Sequence, residues 1–185
     1  MALQSFASTA QMSSRTKGAI ALSSHPFLDD ELAAASRAIR DACGWHVAKV
    51  ETLHYRRVFG RSREYVLLPA MQIQSVTAAT IDGVVWDADQ LASVEFDPET
   101  GMTNLYGRTV DVTYTAGFET VPESLVTLTL QIAARALGSP LGAVREQTLV
   151  SNVQWSSTAP GVAGGSVILP HELVTLAPYV LGRVA

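Results

Sequence analysis

Hydrophobic positions change their period twice along this chain. Leu32, Ala35, Ile39 and Ala42 or Cys43 recur at helical spacing and predict an amphipathic helix over about 28–43. Asp29, Asp30 and Glu31 fill its first turn, Arg37 and Arg40 follow, and Gly44 stands where a helix-ending glycine belongs. That distribution suits the helix dipole at both ends. From about 50 to 115 the period falls to two. Residues 50–59 and 64–68 read as strands around Gly60-Arg-Ser-Arg63, and 73–81 turns at Asp82-Gly83 into Val84-Val85-Trp86. An Asp-Gly pair between alternating runs is a strong hairpin signal. Residues 94–96 and 103–106 flank the turn 97–101, and Val110, Val112 and Tyr114 alternate with Asp111 and Thr113 in a strand that closes the sheet.

The helical period then returns. Thr120-Val-Pro-Glu123 resembles a capped helix start, and a helix over about 121–137 follows. Ser124, Thr127, Gln131 and Arg135 fall on one narrow polar stripe, with Leu125, Val126, Leu128, Leu130, Ile132, Ala133, Ala136 and Leu137 around the rest. A helix so apolar is covered on more than one side, and the expectation is that a neighbouring subunit covers one of them.

The ends are less regular. Residues 1–20 read as a mobile start and a short helix that Ser8 or Thr9 caps, with Met12 facing inward and Gly18 ending it. Gly138-Ser-Pro140 stops the long helix, 150–155 reads as extended, and 159–165 is a glycine-rich link. A short helix over about 170–179 carries apolar Leu173 and Leu176. It either docks on a partner or folds back onto its own domain. The sum is an α+β fold: a small helical core with an antiparallel sheet inserted at about 50–115. The organisation reads as an arm at 1–27, a main domain at 28–150 and a C-terminal docking segment at 151–185.

Composition adds to this picture. Of 185 residues, 48% are hydrophobic and 16% charged, a low charge fraction that points to surface buried between subunits. The net charge of −4 gives no global reason to bind nucleic acid tightly. The start carries no continuous apolar run of a secretory signal, and no stretch reaches the ~18 apolar residues of a membrane span. The single cysteine, Cys43, excludes an internal disulfide.

Candidate chemistry is sparse. Cys43 and His46 lie at a spacing that could pair a thiol with an imidazole, but no oxyanion loop or nucleophile elbow accompanies them. Asp82, Asp87, Asp89, Glu95, Asp97 and Glu99 form an acidic run without the ligand spacing of a calcium loop, and the histidines lack zinc spacing. No cofactor or metal is expected, and the acids read as a solvated rim. Arg56, Arg57, Arg61 and Arg63 make a basic cluster at a hairpin tip. It either touches DNA phosphates or meets the acidic rim of the next subunit, and the subunit contact is favoured. A basic and an acidic patch on one protomer are what a head-to-tail ring contact needs.

Taken together, several motifs resemble the head-to-tail adaptor (connector) proteins of tailed bacteriophages, of the actinobacteriophage type. They are Ala33-Ala-Ala-Ser36 with Ile39-Arg40, Cys43-Gly-Trp-His-Val47, Leu68-Pro69, Val76-Thr77, Ile81-Asp-Gly83, Val112-Thr-Tyr-Thr-Ala-Gly117, Val121-Pro122, Ile132-Ala-Ala-Arg135 and Leu169-Pro170 with Glu172, Leu176 and Tyr179. The likeness departs at Ser151-Asn-Val-Gln154, where many members carry a Gly-Ser-Tyr-Ser-like run.

The resemblance implies a structural virion protein without enzymatic activity or cofactor. It implies a homo-oligomeric ring, typically twelvefold, beneath the portal, made in the host cytoplasm and resident in the virion neck. Such a ring extends a channel through which double-stranded DNA passes without sequence recognition, and it is the platform for the stopper or tail protein. Arg56, Arg57, Arg61, Arg63, Gln131 and Arg135 are then candidate subunit-interface or DNA-facing residues. Leu169, Pro170, Leu173, Leu176 and Tyr179 are candidates for portal docking. The alternative is another neck or tail-completion protein, a stopper or tail terminator.

Overall fold

The computed structural model describes residues 4–138, 145–147, 152–154 and 167–182. The fold is α+β, and the chain divides into two compact units, Met1–Ala42 with Pro122–Pro178 and Cys43–Val121 with Tyr179–Ala185.

The first unit is helical. Helix α1 (Thr9–Arg15) starts at a reciprocal cap: Gln11 N–H donates to Ser8 Oγ at 3.2 Å, and Ser8 N–H donates to Gln11 Oε1 at 2.8 Å. Met12 is buried and Gly18 follows with φ +83°, as expected. The stretch before α1 differs from the mobile start expected of it, because Phe6 and Ala7 are core residues. Phe6 N–H donates to the buried Ser36 Oγ at 2.9 Å, and the Arg40 guanidinium lies 4.1 Å over the Phe6 ring. Both partners belong to helix α2 (Leu28–Cys43), whose stripe of Leu28, Leu32, Ala35, Ile39 and Cys43 is buried.

Helix α4 (Glu123–Gly138) begins later than the expected 121, because Leu125 and Val126 N–H both donate to the Pro122 carbonyl, at 2.9 and 3.1 Å. Seven of its apolar residues (Leu125, Val126, Leu128, Leu130, Ile132, Ala133 and Ala136) are buried within the single chain. The expectation that a neighbouring subunit must cover one side of this helix is therefore not needed. Helix α5 (Pro170–Leu176) and a 3₁₀ turn (Ala177–Tyr179) follow.

The second unit is built on a four-stranded antiparallel sheet in the order β1 (Glu51–Arg63), β6 (Gly107–Ala116), β3 (Ile73–Ile81), β4 (Val84–Val85). Strand β6, last of these four along the chain, lies inside the sheet. Its Val110, Val112, Tyr114 and Ala116 are buried, while Thr109, Asp111, Thr113 and Thr115 on the other face are half-buried. The β3–β4 hairpin turns at Asp82 (φ +50°) and Gly83 (φ +85°), the left-handed pair that a tight hairpin requires.

Gly60 does not turn. Strand β1 runs through residues 60–63, so the expected hairpin tip there is replaced by one long strand whose register against β6 shifts between Val58 and Arg63. The expected strand at 64–68 shrinks to β2 (Val66–Leu67), which pairs with β5 (Met102–Thr103) in a separate ribbon. A short helix, α3 (Ala88–Ala92), follows β4. In the first unit, strands β7 (Arg145–Gln147) and β8 (Asn152–Gln154) pair with each other. The expected link at 159–165 lies outside the described residues.

An aromatic cluster ends this unit. Trp45 packs edge-on to His46 at 5.3 Å and tilted against Phe118 at 6.2 Å, and Phe118 meets Tyr179 at 5.8 Å. Trp45 Nε1 donates to the Tyr179 carbonyl at 2.6 Å, and Leu181 N–H donates to the Cys43 carbonyl at 2.9 Å. Gly117 (φ +119°) makes the close approach possible. A Cβ there would stand 2.6 Å from His46 Nε2 and 2.7 Å from the Lys49 carbonyl oxygen.

Candidate assembly surfaces

The thiol and imidazole first weighed for chemistry are structural. Cys43 is buried and its thiol is pushed up to about 11 by burial, far from a nucleophile's range. His46 Nε2 lies 2.9 Å from the Ala116 carbonyl oxygen. Among the described residues no three His, Cys, Asp or Glu side chains gather to hold a metal, and no helix is long and apolar enough to cross a membrane.

The basic residues sit on β1, an outer strand. Arg56 Nε lies 3.8 Å from Asp111 Oδ2, and His54 Nε2 lies 2.6 Å from Asp111 Oδ1. Arg57 and Arg63 approach the Phe59 ring at 5.5 and 5.7 Å, and Arg61 is exposed. Exposed pairs of this kind contribute about 0–1 kcal/mol, so they bias these side chains without locking them away from a partner.

The acidic residues divide into two groups with different work. Asp82 Oδ1 accepts from the Arg108 and Thr109 N–H at 3.0 and 2.7 Å, bracing the β3–β4 turn. Asp87 caps α3: Gln90 N–H donates to Asp87 Oδ1 and Asp87 N–H to Gln90 Oε1, both at 2.9 Å. The Asp87-Ala-Asp-Gln90 spacing signals a capping box in the sequence, a signal the acidic-rim reading passed over. Asp97 organises the turn before β5. Its carboxyl accepts from the Thr100 hydroxyl at 2.6 Å and from Glu99 N–H at 2.9 Å, and these bonds hold it below the usual carboxylate range. Asp89, Glu95 and Glu99 are exposed. Glu95 and Asp97 border a groove of about 480 Å³ lined by Tyr65, Phe96 and Met102.

Exposed apolar side chains fall mainly on this sheet unit and on α5. Val58, Val84, Val85 and Tyr106 are 62, 60, 75 and 67% exposed, and on α5 Leu173 and Val174 are 48 and 74% exposed.

The C-terminal helix folds onto its own unit through a buried ion pair. Arg135 Nη1 donates to Glu172 Oε1 at 2.7 Å and Nη2 to Glu172 Oε2 at 3.2 Å, with the two side chains 14 and 4% exposed. Arg135 Nη2 also donates to the Val167 carbonyl, and Leu169 N–H donates to Glu172 Oε2 at 2.7 Å. Burial by itself pushes the Glu172 carboxyl up. The bonds from Arg135 and Leu169 outweigh it and hold the group below the usual carboxylate range.

This arrangement divides the residues considered for portal docking. Leu169 and Leu176 are buried, Tyr179 is half-buried, and Pro170 and Leu173 face outward. The polar stripe of α4 divides as well. Gln131 is exposed, Arg135 holds α5, and Thr127 accepts a hydrogen bond from Arg15 at 3.0 Å. Ser124, Thr127 and Gln131 line an open cleft of about 370 Å³ with His171 and Thr175.

Against known families, a family model described as head completion protein matches residues 21–133, from just before α2 to within α4. The match takes in the whole sheet and stops short of α5. No curated protein matches the chain.

Proposed function

Because the chain belongs to the head completion protein family, the structural proteins that finish the phage head at its neck, we propose that it is the head-to-tail adaptor. In this reading copies form a ring beneath the portal, extend the DNA channel and carry the stopper or tail protein. The observation that carries it is the exposure of Val58 on β1 and of Val84 and Val85 on β4, apolar side chains on the two outer strands that are open to a neighbouring copy. The acidic net charge is compatible with a channel that DNA must slide through, since a strongly basic lumen would grip phosphates.

The portal contact belongs to the outward side of α5, at Pro170, Leu173 and Val174. With Leu169 and Leu176 buried, the helix contributes these residues without leaving its unit. The basic strand serves subunit contact rather than DNA, because its arginines lie along a sheet edge with the exposed Val58 among them, and phosphates offer nothing to an apolar side chain.

Electron microscopy of virions carrying an epitope-tagged copy tests the placement. Label confined to the junction of head and tail, with ring density there, is the expected result. Label over the capsid shell or the tail tip would overturn it.

A further inference from the structure

We propose that neighbouring copies join edge to edge, with β4 of one copy pairing antiparallel to β1 of the next, so that the sheet continues from subunit to subunit. This rests on the ring reading above and names its contact.

Strands β1 and β4 are the two outer strands of the sheet. The pairing register places them level with each other: Arg57 opposes Val110, Val110 opposes Ile81, and Ile81 opposes Val84. The next row runs Arg56, Asp111, Thr80, Val85. A rotation of one copy about an axis along the strands therefore brings Val84-Val85 beside Arg56-Arg57 of its neighbour, with no slide along the strand. Direction fits as well. All pairs in the sheet are antiparallel, so a β1 placed after β4 continues the alternation.

The side chains at the two edges are complementary. Val58 is exposed on β1 among Arg57, Arg61 and Arg63, and Val84 and Val85 are exposed on β4 between Asp82 and Asp87, with Asp89 following. Within one copy the edges are three strands apart, about 14 Å at the usual strand spacing, so they cannot join each other. Self-pairing of like edges is disfavoured: β1 on β1 sets arginines against arginines, and β4 on β4 sets aspartates against aspartates. Charged edge strands normally resist pairing, and here the opposite edge removes that resistance. Unlike edges meeting give a head-to-tail contact, which closes into a ring when the rotation is right.

Disulfide trapping in virions tests this, using Arg57→Cys with Val84→Cys in place of the natural protein. Cys43 is buried and unreactive, and the two new thiols of one copy are too far apart to bridge. A ladder of cross-linked multimers on a non-reducing gel is expected. Each single variant, and Thr52→Cys with Val84→Cys, should stay monomeric. Neck rings visible in the same virions without a ladder would overturn the edge contact and leave the ring standing. Tailed virions without a neck ring of this protein would overturn both. Dimers from Arg57→Cys alone would mean a symmetric β1 contact and would also overturn it. If the double variant blocks assembly, charge exchange decides: Arg57→Asp should cut plating at least tenfold and Val84→Lys, at the position the register sets opposite it, should restore it, and failure to restore overturns the pairing.

Discussion

The helix α5 clamp and the outer strands of the sheet treat charge in opposite ways. At the clamp Arg135 and Glu172 are taken out of water and meet in a two-pronged pair, with Val167 and Leu169 backbone groups satisfying the remaining valences. At the strands, Arg57, Arg61 and Arg63 on β1 stay exposed, as do Val58 on β1 and Val84 and Val85 on β4, which are more than half exposed. The helical unit ties α5 down with a buried charge pair, and the sheet unit keeps its charges exposed along an outer strand on each side. A paired buried charge is costly to break, whereas an exposed one contributes little until a partner removes its water. Residues that hold the protomer together are thus separable by mutation from those proposed to join protomers.

The largest effect should come from breaking the clamp. Arg135→Ala leaves the Glu172 carboxylate buried without its cation, which costs about 3–5 kcal/mol, and a denaturant melt reads it directly. A loss under about 1 kcal/mol would mean the clamp is solvated and the contrast false. Gly117→Ala comes next. The left-handed backbone and the crowding by His46 and Lys49 should cost about 1–3 kcal/mol, seen as a lower melting temperature with the aromatic cluster disturbed.

Acid sharpens the same contrast. The Glu172 carboxyl is held below its ordinary range when folded, so its contribution is present above the unfolded pKa of about 4.3 and is lost as pH falls through the folded value. Hydrogen exchange on α5 should accelerate in that acid window, and Glu172→Gln should flatten the dependence. The smallest stability effect belongs to the edge. Arg57→Glu should shift the melt by no more than about 0.5 kcal/mol and yet block incorporation into virions, measured as protein per purified particle.

Much of the scaffold was legible because local signals agreed. The stripe of α2, the cap of α1 at Ser8 or Thr9, the Asp82-Gly83 hairpin and the alternation of β6 each depend on neighbours within a few residues. What failed was non-local. Gly60-Arg-Ser-Arg63 has the composition of a turn, but the partner strand that keeps it extended lies more than forty residues away, at Gly107. The apolar excess of α4 suggests a subunit contact because nothing local says what covers a helix, but the single chain buries most of it. The Arg135–Glu172 pair spans 37 positions across a glycine-rich link, beyond any pattern argument. The sequence shows where the arginines and the acids lie along the chain, but only the strand order places β1, with its arginines, and β4, flanked by Asp82 and Asp87, at opposite edges.

Hydrogen–deuterium exchange on the free protein and on assembled necks tests the division of labour most directly. Assembly should slow exchange at β1 and at Val84-Val85 and leave α4 unchanged, since its apolar surface is already covered within one chain. New protection along α4 with none at the two edge strands would contradict the account.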